Sequence, residues 1–176
     1  MCTLAIDTST LASSIAICRD GRVLWQTVVH EAQHSSALVA SIAEGIEALG
    51  LQPRDLTNVV VGAGPGSFTG LRIGMATAKG MAFALSTPLV LVSSLAALAV
   101  DAHTSAPTLG PWIAVMDARR NEVFAGAYEF RDGTCVTIHA DAVRSPREIA
   151  AWAATVHPAA QFVGNALLRY PTELAD

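Results

Sequence analysis

The sequence predicts an α/β chain made of two tandem halves, and three observations carry that reading. Each half opens on an apolar strand that ends in aspartate, Leu4-Ala5-Ile6-Asp7 in the first and Trp112-Ile113-Ala114-Val115-Met116-Asp117 in the second. Each half then repeats one order of elements: hairpin strands, a helix and a further apolar strand. Between them lies a run of turn residues, Thr104 to Pro111. The predicted organisation is a first half over 1–103, a linker over 104–111 and a second half over 112–176. That second half reads as C-terminally incomplete, because the chain ends soon after its fourth strand.

In the first half, Ser14-Ile15-Ala16-Ile17-Cys18 reads as the second strand, Asp20-Gly21 as a hairpin turn and Arg22 to Val29 as the third strand. A helix follows, with Leu38, Ile42, Ile46 and Leu49 on one face, Ser35 or Ser36 as N-cap and Gly50 as its stop. Val59-Val60-Val61 is continuously apolar, as buried parallel strands are. Leu89 to Val92 is the next strand, and a short helix runs from Ser94 to about Ala102. In the second half, Glu122 to Phe130 and Cys135 to His139 read as strands joined at Asp132-Gly133. Ser145-Pro146-Arg147-Glu148 opens a helix to about Val156, with serine as N-cap and proline at the first helical position. Gln161-Phe162-Val163 is that half's fourth strand.

The most distinctive stretch runs from Gly62 to Gly74: Gly-Ala-Gly-Pro-Gly-Ser-Phe-Thr-Gly-Leu-Arg-Ile-Gly. Strand, glycine turn, helix is an arrangement that brings backbone N–H groups close to an anion or to another backbone. Two phosphate motifs fail here. A G-x-G-x-x-G fingerprint from Gly64 meets Thr69 where glycine is needed, and the only lysine, Lys79, follows alanine rather than the glycine of a P-loop. Anion cradle and packing turn both stay open. The helix that follows carries Gly74, Ala76, Ala78, Gly80, Ala82 and Ala84 among Ile73, Met75, Met81 and Phe83. A helix apolar all round is either deeply buried or shared with a partner.

Composition narrows the function classes. The hydrophobic fraction of 52% and the mean hydropathy of +0.42 owe much to alanine, and no apolar run approaches the roughly 18 residues of a membrane span. Met1-Cys2-Thr3-Leu4-Ala5-Ile6-Asp7 lacks a basic n-region, so no signal peptide is expected. Cys2, Cys18 and Cys135 are odd in number and far apart, which points to a reduced, cytoplasmic protein. Net charge is −4 with no basic cluster beyond Arg119-Arg120, so RNA is expected only through a complex.

One motif suggests metal chemistry. His30-Glu31-Ala32-Gln33-His34 matches H-E-x-x-H, in which two histidines one helical turn apart bind zinc. Residues 23–29 read as strand, and the helical period begins only near Leu38. A zinc metallopeptidase is therefore the lesser alternative, and a polar loop with a helix cap is the preferred reading.

Three meandering strands, a helix and a parallel strand form a ribonuclease-H-like half, and two in tandem resemble the actin-like ATPase superfamily. That resemblance implies that Asp7, Thr8 and Ser9, with Asp117, sit where the superfamily faces a nucleotide phosphate or metal-bound water. The alternative for each aspartate is a turn cap through its own backbone, with Arg119 or Arg120 as an ion-pair partner of Asp117. Gly164-Asn165 is the candidate for an adenosine loop. An autonomous ATPase or kinase is the first alternative function.

Ala5-Ile6-Asp7-Thr8-Ser9, the signature Gly64, Pro65, Gly66, Ser67, Phe68, Thr69, Gly70, Leu71, Arg72, Ile73, Gly74, then His34, Ser93-Ser94-Leu95, Asp117-Ala118-Arg119 and Glu122-Val123 together resemble the bacterial TsaB (YeaZ) family. The resemblance covers essentially the whole chain. It implies a non-catalytic scaffold and activator in the synthesis of threonylcarbamoyladenosine, the modification beside the anticodon of tRNA. Its partners would be the similarly folded TsaD, the P-loop ATPase TsaE and a second copy of itself. The chain alone would bind no cofactor, with ATP used by the complex and the metal held by TsaD, and the Asp7 and Asp117 turns would be vestigial. The docking surface would be the helices at about 35–49 and 70–85, with Leu71, Met75, Ala78 and Lys79 as candidate contacts.

Overall fold

The computed structural model describes residues 1–30, 35–107 and 110–174. The chain divides into two compact units, Met1–Ser93 and Ser94–Asp176. In the first, β1 (Cys2–Asp7), β2 (Ser13–Arg19) and β3 (Arg22–Val29) meander antiparallel. Helix α1 (Ser35–Ala48) leads back to β4 (Asn58–Gly62), parallel to β1, and α2 (Phe68–Leu85) leads to β5 (Leu89–Val92), parallel to β4. The strand order is β3-β2-β1-β4-β5.

The alternation of the sequence explains which face is covered. Leu4, Ile6, Ile15, Ile17, Val59 and Val61 point to one side of the sheet, under Leu38, Ile42 and Ile46 of α1 and Ala78 and Ala82 of α2. Burying each of the leucines, isoleucines and valines contributes about 1.5–3 kcal/mol. Helix α1 ends as its glycine requires: Gly50 has φ +62, its N–H bonds the Glu47 carbonyl at 2.8 Å, and the Leu51 N–H bonds the Ile46 carbonyl at 2.9 Å. Helix α1 is described from Ser35 onward, and the residues just before lie outside those described.

Gly45 lies against the ring of Trp25, and a Cβ there would sit 2.5 Å from a ring carbon. Gly45→Ala is expected to destabilise the protein by about 1–3 kcal/mol, although alanine is the better helix former. A lower urea midpoint at unchanged slope would register it; an unchanged or higher midpoint would contradict the packing.

The second unit begins with α3 (Ser94–Ser105) and continues with β6 (Trp112–Arg119), β7 (Glu122–Arg131), β8 (Thr134–Arg144), α4 (Pro146–Val156), β9 (Gln161–Val163), α5 (Ala166–Arg169) and α6 (Pro171–Leu174). Its order, β8-β7-β6-β9, repeats β3-β2-β1-β4, and β9 is parallel to β6 as β4 is to β1. The internal duplication read from the sequence is thus present strand for strand. Helix α4 opens as expected, with the Ser145 N–H on a Glu148 carboxylate oxygen at 3.0 Å, and that bond holds the Glu148 carboxyl below its usual range.

Two boundaries differ from the sequence reading. Helix α3 continues past Ala102 because His103 stacks on Phe130 at 3.8 Å and the Thr104 hydroxyl bonds the Val100 carbonyl at 2.7 Å. It packs with the second unit, Leu95 and Ala99 lying among Trp112, Ala114, Met116 and Tyr128, whereas the sequence reading ran the first half through 103. Strand β8 runs beyond His139 to Arg144, because register shifts between Ala125 and Tyr128 of β7 keep the two strands paired to Val123↔Arg144.

Candidate functional site

Strand β4 delivers the chain into the glycine signature. Gly64 is left-handed at φ +94, the Gly64–Pro65 peptide is cis, and Ser67 caps α2 by accepting the Gly70 N–H at 3.3 Å. Facing this loop is the β1–β2 turn. There Asp7 Oδ1 accepts the Ser9 N–H at 2.8 Å and the Ser9 hydroxyl at 2.5 Å. The Ser9 carbonyl accepts the Ser67 N–H at 2.7 Å, and the Thr8 hydroxyl donates to the Gly70 carbonyl at 2.8 Å.

The glycines make this contact possible. A Cβ on Gly66 would stand 2.3 Å from the Ser9 carbonyl oxygen, one on Gly70 2.1 Å from the Thr8 carbonyl oxygen, and one on Gly74 2.2 Å from the Thr8 hydroxyl. Of the two open readings, the structure supports the packing turn: the bare backbone receives the chain's own Thr8 and Ser9, both buried. The Ser9 and Thr8 hydroxyls and the Ser67 N–H all donate to acceptors of the unit itself.

The second half repeats the device. Asp117 Oδ1 accepts the Arg119 N–H at 2.9 Å, the same two-residue step as Asp7 to Ser9. Its ion-pair partner is Arg169, Nε to Oδ2 at 3.4 Å, not the guanidinium of Arg119 or Arg120. Tyr170 donates its hydroxyl to Oδ1 at 3.4 Å, and the Asp117 N–H bonds Asn165 Oδ1 at 2.9 Å. Gly164 sits so close to β6 that a Cβ would lie 1.9 Å from the Val115 carbonyl oxygen. Gly164-Asn165, the expected adenosine loop, therefore braces the end of β6. Arg119, Arg120 and Asn121 are all left-handed, with φ +64, +51 and +61, at about 1–2 kcal/mol for each of the arginines.

Helix α2 has two distinct faces. Gly74, Ala78 and Ala82 are buried against the sheet. Outward lie Phe68, 69% exposed, then Arg72, Ala76, Lys79, Gly80 and Phe83, 89% exposed, with the Arg72 guanidinium 4.2 Å from the Phe68 ring centroid. The four contacts chosen from sequence fall on different sides of the helix. Ala78 is fully buried, Met75 packs on the core, and Leu71 is half-buried with its side chain against Gly64; Lys79 alone of the four is exposed. Positions 71, 75, 78 and 82 share the inward stripe of a 3.6-residue period. Arg72 and Lys79, seven residues apart, were the signal that phases the outward face.

His30 sits in the turn after β3, and Glu31 to His34 lie outside the described residues. Among the described residues, no helix is long and apolar enough to cross a membrane.

A family model described as TsaD, tRNA N6-adenosine threonylcarbamoyltransferase, matches residues 28–168. The "tRNA threonylcarbamoyladenosine biosynthesis protein TsaB" of Bacillus subtilis is 35% identical over 134 residues, 76% of this chain and 57% of that protein. Its Escherichia coli namesake is 33% identical over 126 residues, 72% of this chain and 54% of that protein. The chain thus spans a little over half the length of these relatives. The structure of YeaZ from Pseudomonas aeruginosa superposes with a TM-score of 0.75 at 34% identity, covering 83% of this chain and 68% of that one. Component A of an Acidaminococcus fermentans 2-hydroxyglutaryl-CoA dehydratase shares the fold alone, with a TM-score of 0.53 at 18% identity. The duplicated sheet order, the glycine signature locked on the Asp7 turn and these similarities lead to one assignment: the chain belongs to the TsaB (YeaZ) family, on the actin-like ATPase fold of tandem ribonuclease-H-like halves.

Proposed function

We propose that this chain is a non-catalytic subunit of the cytoplasmic machinery that makes threonylcarbamoyladenosine in tRNA, and that it holds and activates TsaD. The observation that carries the reading is the outward face of α2. Two phenylalanines stand in water on either side of Ala76 and Gly80. A small-residue saddle between aromatic anchors is a surface on which a partner helix can approach closely. The first-turn geometry supports a supporting role, since its polar groups hold the glycine loop in place. In this reading TsaD supplies the metal and the transfer chemistry, TsaE joins the same assembly, tRNA is met through the complex, and a second copy competes for the α2 face.

Gly80 gives this face an independent check. A Cβ there would meet nothing within 4 Å, so no contact inside the unit requires glycine. Gly80→Ala is expected to raise the stability of the isolated chain by about 1 kcal/mol through helix propensity, while weakening TsaD binding. Thermal melts and titration calorimetry would read the two effects separately. The proposal itself is tested by mixing the purified chain with TsaD of the same organism and measuring mass by light scattering. A heterodimer is expected; two species that never associate would overturn it.

A further inference from the structure

The paired arginines of the β6–β7 turn are not accounted for by TsaD docking through α2. Arg120 and Asn121 are the central residues of that turn, and Arg119 sits at a bulge where the register shifts after Asp117. All three are left-handed, a conformation that glycine and asparagine adopt far more easily than arginine. The backbone of the turn therefore does not select arginine. Internal charge balance does not select it either, because Asp117 takes the Arg119 backbone N–H and pairs with the Arg169 guanidinium. Among the described residues neither Arg119 nor Arg120 has an ion-pair partner, and both are exposed, as is Glu122 opposite Arg119 in the register.

The tandem halves differ at the turn after their opening strand. In the first unit the turn after the opening strand is neutral, and its Thr8 and Ser9 are buried on the glycine loop. In the second unit the same turn leaves Arg119 and Arg120 exposed to water, while Asp117 accepts the Arg119 backbone N–H and pairs with Arg169.

We propose that the Arg119-Arg120 tip holds phosphate groups of an RNA backbone, an inference that rests on the reading of the chain as part of a tRNA-modifying complex. Guanidinium forks donate paired N–H groups to phosphate oxygens, and the neighbouring Asn121 amide is a neutral donor of the kind that backbone contacts use. The chain's net charge of −4 makes its surface as a whole repel RNA. The contact is accordingly local, fixing where the RNA lies more than how tightly it binds.

The test is a salt series of tRNA affinity for the complex with TsaD, comparing the parent chain with the double variant Arg119→Gly, Arg120→Asn. Both replacements suit left-handed backbone, so the variant is expected to melt at a higher temperature than the parent. Its tRNA affinity at low salt should fall several-fold, and the slope of log K against log salt should flatten by about 1.4–1.8 for two lost phosphate contacts. Unchanged affinity and slope would overturn the proposal. So would a variant that loses TsaD but not tRNA, because the tip would then contact an acidic protein face. If the parent itself forms no complex with TsaD, the docking reading fails, and the same series on the isolated chain decides the tip. A flatter variant slope there sustains the RNA site, and coincident slopes dismiss it.

Discussion

Gly70→Val is expected to destabilise the first unit by about 3–5 kcal/mol, whereas Gly80→Val, ten residues further along the same helix, is expected to leave its stability near the parent's. At position 70 even a Cβ would stand 2.1 Å from the Thr8 carbonyl oxygen, a backbone atom that no rotamer change can move away. Overpacking of this kind costs about 1–3 kcal/mol in a core that can adjust, and more where it cannot. The displaced turn would also lose the Thr8-to-Gly70 and Ser67-to-Ser9 hydrogen bonds, each contributing about 0.5–1.5 kcal/mol. A combined loss of about 3–5 kcal/mol is a large share of the 5–15 kcal/mol typical of a folded domain. At Gly80 a Cβ would meet nothing within 4 Å beyond its own helix turn and chain neighbours, so the added side chain starts in open space. Urea unfolding of both variants would read the difference. Equal midpoints would mean that the glycine signature is not what seats the Asp7 turn.

Phe83→Asp is expected to fold normally and to lose TsaD. The side chain is 89% exposed, so its removal takes almost nothing from the core. A central aromatic anchor replaced by a charge typically costs about 2–4 kcal/mol in an interface, a loss of about 30- to 1,000-fold in affinity. Leu168 of α5, 88% exposed on the second unit, provides the control, and Leu168→Asp should bind as the parent does. Titration calorimetry against TsaD would separate the two. If Phe83→Asp binds like the parent, the outward face of α2 is not the docking surface.

The sequence made the order of elements legible because an Asp-Gly turn joins the last two strands of each meander, and because the second half repeated the first. Asp20-Gly21 and Asp132-Gly133 both have the positive φ values of tight hairpins. The ends of α3 and β8 were not legible, since a ring stack on Phe130 and a register shift in β7 are contacts across strands and carry no local signature. The same holds for the site. Asp7 and Asp117 were found at strand ends, but Asn165, Arg169 and Tyr170 lie about fifty residues from Asp117 and only the fold brings them to it. The phase of α2 was hidden because glycine, alanine and methionine occupy every side of it. Its two charged residues, Arg72 and Lys79, hold the answer, and the contacts chosen at 71, 75 and 78 fell on the inward stripe.

The most direct measurement of the central claim is nucleoside analysis of bulk tRNA from host cells depleted of this protein. Disappearance of threonylcarbamoyladenosine, with other modified nucleosides level and restored by the parent gene but not by Phe83→Asp, is the expected result. Threonylcarbamoyladenosine that persists unchanged in depleted cells would contradict it, leaving the family and the fold in place without the proposed role.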